Sequence, residues 1–201
     1  MKQLLPLSVI MLTVALASCN DSAKKIVVMS KGEADINTGD KTISAGDGAG
    51  HNEKTFVLGG GTYEYKLKTP AGDGSASFGE NGLYVVNIKN DTILGTYMKY
   101  ADPSKANATM TQDELRHRID SLHLLLEGKN VSAANRNFFL LPKTAVRVSE
   151  NTDAEIVGPY HQMRSAAKVD GKEPEVYRFY SIKEVRETVG KLEGLTVGEK
   201  Q

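Results

Sequence analysis

Between Gly61 and Pro70 the chain reads GTYEYKLKTP, and Tyr63, Tyr65 and Leu67 alternate with Glu64, Lys66 and Lys68. A two-residue period puts the apolar side chains on one face and the charges on the other, which predicts a half-buried antiparallel strand. Upstream, IVVMS from Ile26 predicts a first strand. The stretch from Lys31 to Lys54 is rich in Gly, Asp and Asn with isolated apolar residues, so it reads as turns with one edge strand near Thr42 to Ser44. AGDGSASFGENG, from Ala71, reads as a loop enclosing a short strand at Ser75 to Phe78. LYVVNIK and TILGTYMKY flank Asn90-Asp91, two residues that tolerate a left-handed backbone, and this spacing predicts a hairpin. Residues 26–101 together predict a small antiparallel β-sandwich or barrel.

ADPSKANA then breaks the pattern, and residues 102–130 read as a linker and an amphipathic helix. Thr111 and Glu114 have capping-box spacing, Leu115, Ile119, Leu122 and Leu126 form one stripe, and Gly128 supplies a left-handed stop. This helix is expected to lie against a sheet. Residues 131–201 read as an α+β region with four strands: FFLLP, TAVRV, AEIVGPY and EVYRFY, the last with Tyr177 and Phe179 on one face. Ser181 and Glu184 make a second capping box ahead of a helix striped by Ile182, Val185, Val189 and Leu192. Gly190 lowers its helical stability by about 1 kcal/mol relative to alanine, so early fraying is expected. The fold class is therefore mainly β with an α+β C-terminal part.

The first eighteen residues, MKQLLPLSVIMLTVALAS, hold one charge at Lys2 and then an apolar run from Leu4 to Leu16, broken only by Pro6, Ser8 and Thr13. The run falls short of the ~20 residues a helix needs to cross a bilayer, which makes 1–18 a secretory signal rather than a span. Leu16-Ala17-Ser18-Cys19 resembles the bacterial lipobox. That resemblance implies cleavage before Cys19 and attachment of a diacylglyceryl group to its thiol, with residues 19–25 as a lipid tether. Each buried acyl methylene contributes about 0.8 kcal/mol, so two or three chains hold a folded domain on a membrane. An ordinary secreted protein cleaved after Ala17 or Ser18 is the alternative, leaving a free thiol. Asn20 stands where lipoproteins kept in the inner membrane commonly carry aspartate, so the resemblance implies the outer membrane, and the single Asp21 beside Lys24 and Lys25 its periplasmic face.

Charge narrows the partners. The chain has 25 basic and 25 acidic residues, and loss of residues 1–18 removes one lysine and no acid. Such a balance, without a clustered basic face, excludes a nucleic-acid footprint. Cys19 is the only cysteine, so neither an intramolecular disulfide nor a thiolate zinc site can form.

Candidate chemistry is sparse. GDGAG at Gly46 and GGG at Gly59 lack the Gly-Lys-Ser/Thr ending of a phosphate loop and read as turns. Glu114 with His117, and Asp120 with His123, have the carboxylate-x-x-His spacing of di-iron helices. At roughly 100° per residue, however, His117 and Asp120 face away from the apolar stripe, and no second helix offers a histidine. His51 in a glycine loop and His161 after Gly-Pro-Tyr are candidate bases, His161 the better of the two, but no Gly-x-Ser-x-Gly elbow is present. Asp153 with Glu155, and Glu173 with Glu175, read as surface pairs. No catalytic residue, metal or cofactor is expected.

TAVRVSENTDAEIVGPY resembles the opening of a bacterial SH3-like module. The layout from FFLLP through EVYRFYSIKEVRETVGKL is similar to tails of uncharacterised Bacteroidota envelope lipoproteins, a resemblance that implies no activity. The expectation is a lipid-anchored, non-enzymatic binding or assembly module at the cell envelope, with an envelope protein or polysaccharide as partner. Tyr160 and His161 are its binding candidates, together with the loops at Gly59 and Gly72. The alternative is a small periplasmic hydrolase or metal-dependent enzyme using His161 or the His117/His123 helix.

Overall fold

The computed structural model describes residues 23–46, 48–98, 111–161 and 174–197. The expected leader 1–18, Cys19, Glu173 and the expected linker stretch 101–108 lie outside the described residues. The chain is mainly β, with two helices. Its strands are β1 (Lys24–Lys31), β2 (Ala34–Asn37), β3 (Thr42–Ala45), β4 (His51–Leu58), β5 (Tyr63–Thr69), β6 (Gly72–Phe78), β7 (Gly82–Asn87) and β8 (Ile93–Met98). After helix α1 (Gln112–Leu126) come β9 (Asn137–Leu140), β10 (Thr144–Ser149), β11 (Glu155–Val157), β12 (Val176–Ser181) and helix α2 (Ile182–Val197).

Three four-stranded sheets stack in layers. A central sheet has the order β10-β7-β1-β4, an outer sheet β2-β3-β5-β6, and a third sheet β11-β12-β8-β9. Residues Ile26, Val28, Tyr84 and Val86 of the central sheet pack against Ile43, Tyr65, Leu67 and Phe78 of the outer one. Their neighbours Val27, Met29, Leu83 and Val85 point the other way, against Ile93, Phe138, Tyr177 and Phe179 of the third sheet. The far face of that sheet, through Leu94, Phe139 and Tyr180, meets Leu115, Ile119 and Leu125 of α1 and Val185 and Val189 of α2. A central sheet covered on both sides needs apolar residues at consecutive positions, which is why IVVM and LYVV run without alternation.

Every sheet has open edges, so the barrel alternative is not realised. The sheets are also mixed rather than purely antiparallel: β1 runs parallel to β7, β3 to β5, and β11 to β12. The regions 26–101 and 131–201 interleave, since β10 joins β7 in the central sheet and β8 lies between β9 and β12 in the third. β10 and β11, which carry the SH3-like pattern, sit in different sheets.

The hairpin expected at Asn90-Asp91 does not form. β7 pairs with β1 and β10, while β8 pairs with β9 and β12, so the turn is a crossover between layers. Asn87, fully buried, fixes it: its amide donates to the carbonyls of Asp91 (2.9 Å) and Leu140 (3.1 Å), and its side-chain oxygen accepts from the Lys89 amide (3.0 Å). The polar segment from Lys31 to Lys54 holds β2 and the start of β4 besides the expected β3. Lys24 and Lys25, the last two residues of the expected tether 19–25, belong to β1.

Both capping boxes are present, Thr111 with Glu114 and Ser181 with Glu184. α2 continues through Gly190 to Val197, its stripe packed against α1 and the third sheet, where tertiary packing offsets the glycine's cost. On α1, Leu125 is buried while Leu122 and Leu126 are half-buried, a shift of the stripe towards α2.

Gly95 lies opposite Phe179 across β8 and β12, and a Cβ there would overlap the Phe179 ring. Gly95→Ala should cost about 1–3 kcal/mol through overpacking. Phe179→Ala should cost about 3–5 kcal/mol through the cavity it leaves. Urea unfolding with an unchanged slope is the measurement that checks both.

Candidate functional site

The turn after β11 presents Tyr160 and His161. Tyr160 takes a left-handed backbone, φ 66°, unusual for a bulky residue, and its side chain is exposed. Two contacts fix the backbone. The Tyr160 amide donates to Glu184 Oε1 at 2.8 Å, and the His161 amide donates to the Gly158 carbonyl at 3.3 Å. The other oxygen of Glu184 accepts from the Ser181 amide at 2.8 Å, so one carboxylate closes the α2 cap and holds the turn.

The His161 ring is held as well. Its Nδ1 lies 3.3 Å from Glu53 Oε1, and the same oxygen is 2.7 Å from Nε2 of His51. The two imidazoles meet edge-on, with centroids 5.7 Å apart at 73°. The His51 side chain is 3% exposed and that of His161 is 60% exposed. Nδ1 of His51 is buried without a partner, so the tautomer this geometry accommodates carries the proton on Nε2 and donates it to Glu53. Gly158 makes the cluster possible. A Cβ at that position would overlap the Glu53 carboxylate and His51 Nε2. The structure thus brings together His51 and His161, which the sequence offered separately. Glu53 is the residue that sequence reasoning missed, hidden in a stretch that reads as turns.

The remaining candidates do not converge. His117 and Asp120 are exposed, and His123 Nε2 bridges to Glu193 of α2 at 3.0 Å. Hydrogen bonds from Thr111 lower the carboxyl pKa of Glu114, and they are the helix cap. Among the described residues, no three histidine, cysteine, aspartate or glutamate side chains are arranged to hold a metal ion. Asp153 is exposed in a turn and Glu155 opens β11. Gly46 follows β3 and Gly59 follows β4, both outside the strands.

A second feature lies at the other end of the interface between the central and third sheets. A cleft of about 630 Å³ is lined by Glu80, Arg136, Arg147, Ser149, Glu175 and Tyr177, among others. The Tyr177 hydroxyl donates to Glu175 Oε1 at 2.6 Å and the Ser149 hydroxyl to Glu175 Oε2 at 2.9 Å. Arg136 lies over the ring of Tyr97, 4.4 Å from its centroid, and 3.9 Å from Glu175. Arg147 donates from Nε to the Asn81 carbonyl at 2.8 Å and pairs with Glu80 and Glu150. No imidazole lines the cleft, and Ser149 gives its proton to a carboxylate already engaged, so the arrangement supplies no activated nucleophile. Four separate chain segments build this cleft, and no local motif announces it.

No protein family matches the chain, and no curated protein or solved structure shows significant similarity to it. Among the described residues, no helix is long and apolar enough to cross a membrane.

Burial, and then the hydrogen bond to Glu175, push the Tyr177 hydroxyl well above its usual value of 10.0. The unfolded chain therefore releases this proton at a pH where the folded chain retains it, and stability falls as pH rises through and beyond that value. Tyr177→Phe should flatten the fall in melting temperature between about pH 9 and about pH 11. Part of the slope should persist from Tyr65, which burial also raises.

Proposed function

We propose that the protein is a lipid-anchored cell-envelope binding module without catalytic activity, tethered through Cys19 and meeting its partner through the Tyr160–His161 turn. One observation carries this reading. The lipobox-like segment is followed, five residues on, by β1 at Lys24, and the turn lies beside the opposite end of that strand, near Met29 and Lys31. Seven residue steps along a strand span roughly 23 Å. An anchor at the start of the central strand therefore leaves the turn on the side away from the membrane.

The turn also has the properties of a contact site. Tyr160 is a large exposed aromatic on a backbone whose entropy is already spent, through Glu184, Glu53 and Gly158, so binding orders little. A left-handed tyrosine held by its surroundings is a form of stored strain that clusters at ligand contacts.

A second reading, a small periplasmic hydrolase, has one point in its favour. Glu53 lies 3.3 Å from Nδ1 of His161, and the imidazole is 60% exposed, as a general base open to substrate would be. It lacks a neighbouring nucleophile among the described residues. Hydrolysis of ester or phosphoester substrates that disappears in His161→Ala would favour it over the binding module.

Intact-mass analysis of the native polypeptide should find residues 19–201 with acyl chains on Cys19; a bare thiol or a retained leader overturns the anchor. Replacing Tyr160 and His161 together with alanine should cost about 2 kcal/mol or more of partner affinity, read as lost cross-links in the native envelope. Undiminished cross-linking removes the turn as the contact.

A further inference from the structure

The cleft lies beside the first residue of the central strand. The Ala23 carbonyl accepts from the Gly82 amide at 3.2 Å, and the adjoining Asn81 receives Lys24 Nζ at 3.4 Å and Arg147 Nε at 2.8 Å. Four residue steps separate Ala23 from Cys19, a reach of at most about 14 Å. With Cys19 acylated, the reading on which this inference rests, the cleft is held at the level of the lipid headgroups.

Its charges select among ligands. Two guanidiniums, Arg136 and Arg147, share the space with carboxylates from Glu80, Glu150 and Glu175. A ligand that is only anionic meets three carboxylates, and one that is only cationic meets two guanidiniums. An apolar ligand would bury ion pairs with no compensation for their lost water. A zwitterion with a phosphate and an ammonium a few ångströms apart satisfies both sets. The partners can rearrange for it: the Glu80 and Glu150 side chains are 75% and 91% exposed, and such solvent-exposed pairs are weak, so a phosphate can take their place on the guanidinium. Glu175 is the fixed point, clamped by Tyr177 and Ser149, and Arg136 is held over the ring of Tyr97.

We infer that the cleft binds the phosphoethanolamine headgroup of the surrounding lipid, its phosphate on Arg147 and Arg136 and its ammonium on Glu175. The folded part is then seated on the membrane by the end where β1 begins.

The test uses the full lipidated protein in a maltoside detergent, titrated with glycerophosphoethanolamine and followed by nuclear magnetic resonance. Saturable binding is expected, at least about tenfold tighter than for glycerophosphoglycerol, which lacks the ammonium. Arg147→Gln and Glu175→Gln should each weaken it by about tenfold or more, with melting curves confirming that each variant folds. Arg136→Gln serves if either does not. Equal binding of the two esters, or none, overturns the assignment. A second arm compares vesicles of phosphatidylethanolamine with vesicles of phosphatidylglycerol. Slower amide exchange at residues 147–151 in the former alone supports the lipid as source, and equal exchange in both overturns it. A bare Cys19 in the intact mass removes the anchor and is read before any titration, whereas failed ester selectivity with Cys19 acylated removes only the cleft assignment.

Discussion

The architecture depends on burying both faces of the parallel pair β1 and β7. Ile26 and Val28 look into one core, Val27 and Met29 into another, and Tyr84, Leu83, Val85 and Val86 do the same one strand away. Fully burying a side chain of this size contributes about 1.5–3 kcal/mol, so neither face can be left to water. The outer and third sheets exist as covers for this pair. The third sheet then has an apolar far face of its own, and the two helices close the stack over it. Parallel strands cannot be joined by a tight turn, so β2 to β6 are the connection between β1 and β7 as well as the outer cover.

The polar groups fall where that stack runs out. Between the central and third sheets the interior is apolar through Val85, Ile93 and Phe179, and it gives way at one end to His51, Glu53 and His161 and at the other to Ser149, Glu175 and Tyr177. In each case a carboxylate keeps a hydrogen bond at the rim of an apolar layer, Glu53 from His51 and Glu175 from Tyr177 and Ser149, as a charge in such a place must. The two ends differ in what they leave free. One offers a fixed aromatic on a strained turn, the other a roomy cleft with charges of both signs.

Reading the sequence went furthest where local chemistry decides. Both helices were legible because Thr111 with Glu114 and Ser181 with Glu184 satisfy their own backbones, whatever lies around them. β5 was legible because the outer sheet has one wet face, which makes Tyr63, Tyr65 and Leu67 alternate with charges. The pairing of β7 with β8 was misread because strands buried on both faces carry no register signal, and Asn90-Asp91 resembles a hairpin turn whether or not the strands turn back. β4 escaped notice because its two faces carry Asn52 and Lys54 on one side and Glu53 and Thr55 on the other before Phe56 begins the apolar part. Tyr160 and His161 were visible as an unusual sequence, but Glu53, the partner of His161, is more than a hundred residues away and only the stacked sheets bring it near.

Placing the N-terminal strand in the middle of the molecule governs the order of assembly. β1 finds β4 early, but its other neighbour, β7, is completed by β10, whose residues come more than a hundred positions later. A chain emerging from its N-terminus must hold IVVMS unpaired on one side until β7 arrives, and β7 unpaired on its far side until β10 does, and pairing across such separations is slow. An unfilled slot beside a sticky strand invites a stranger's backbone. The molecule's most vulnerable interval is thus the time before its own second half is available.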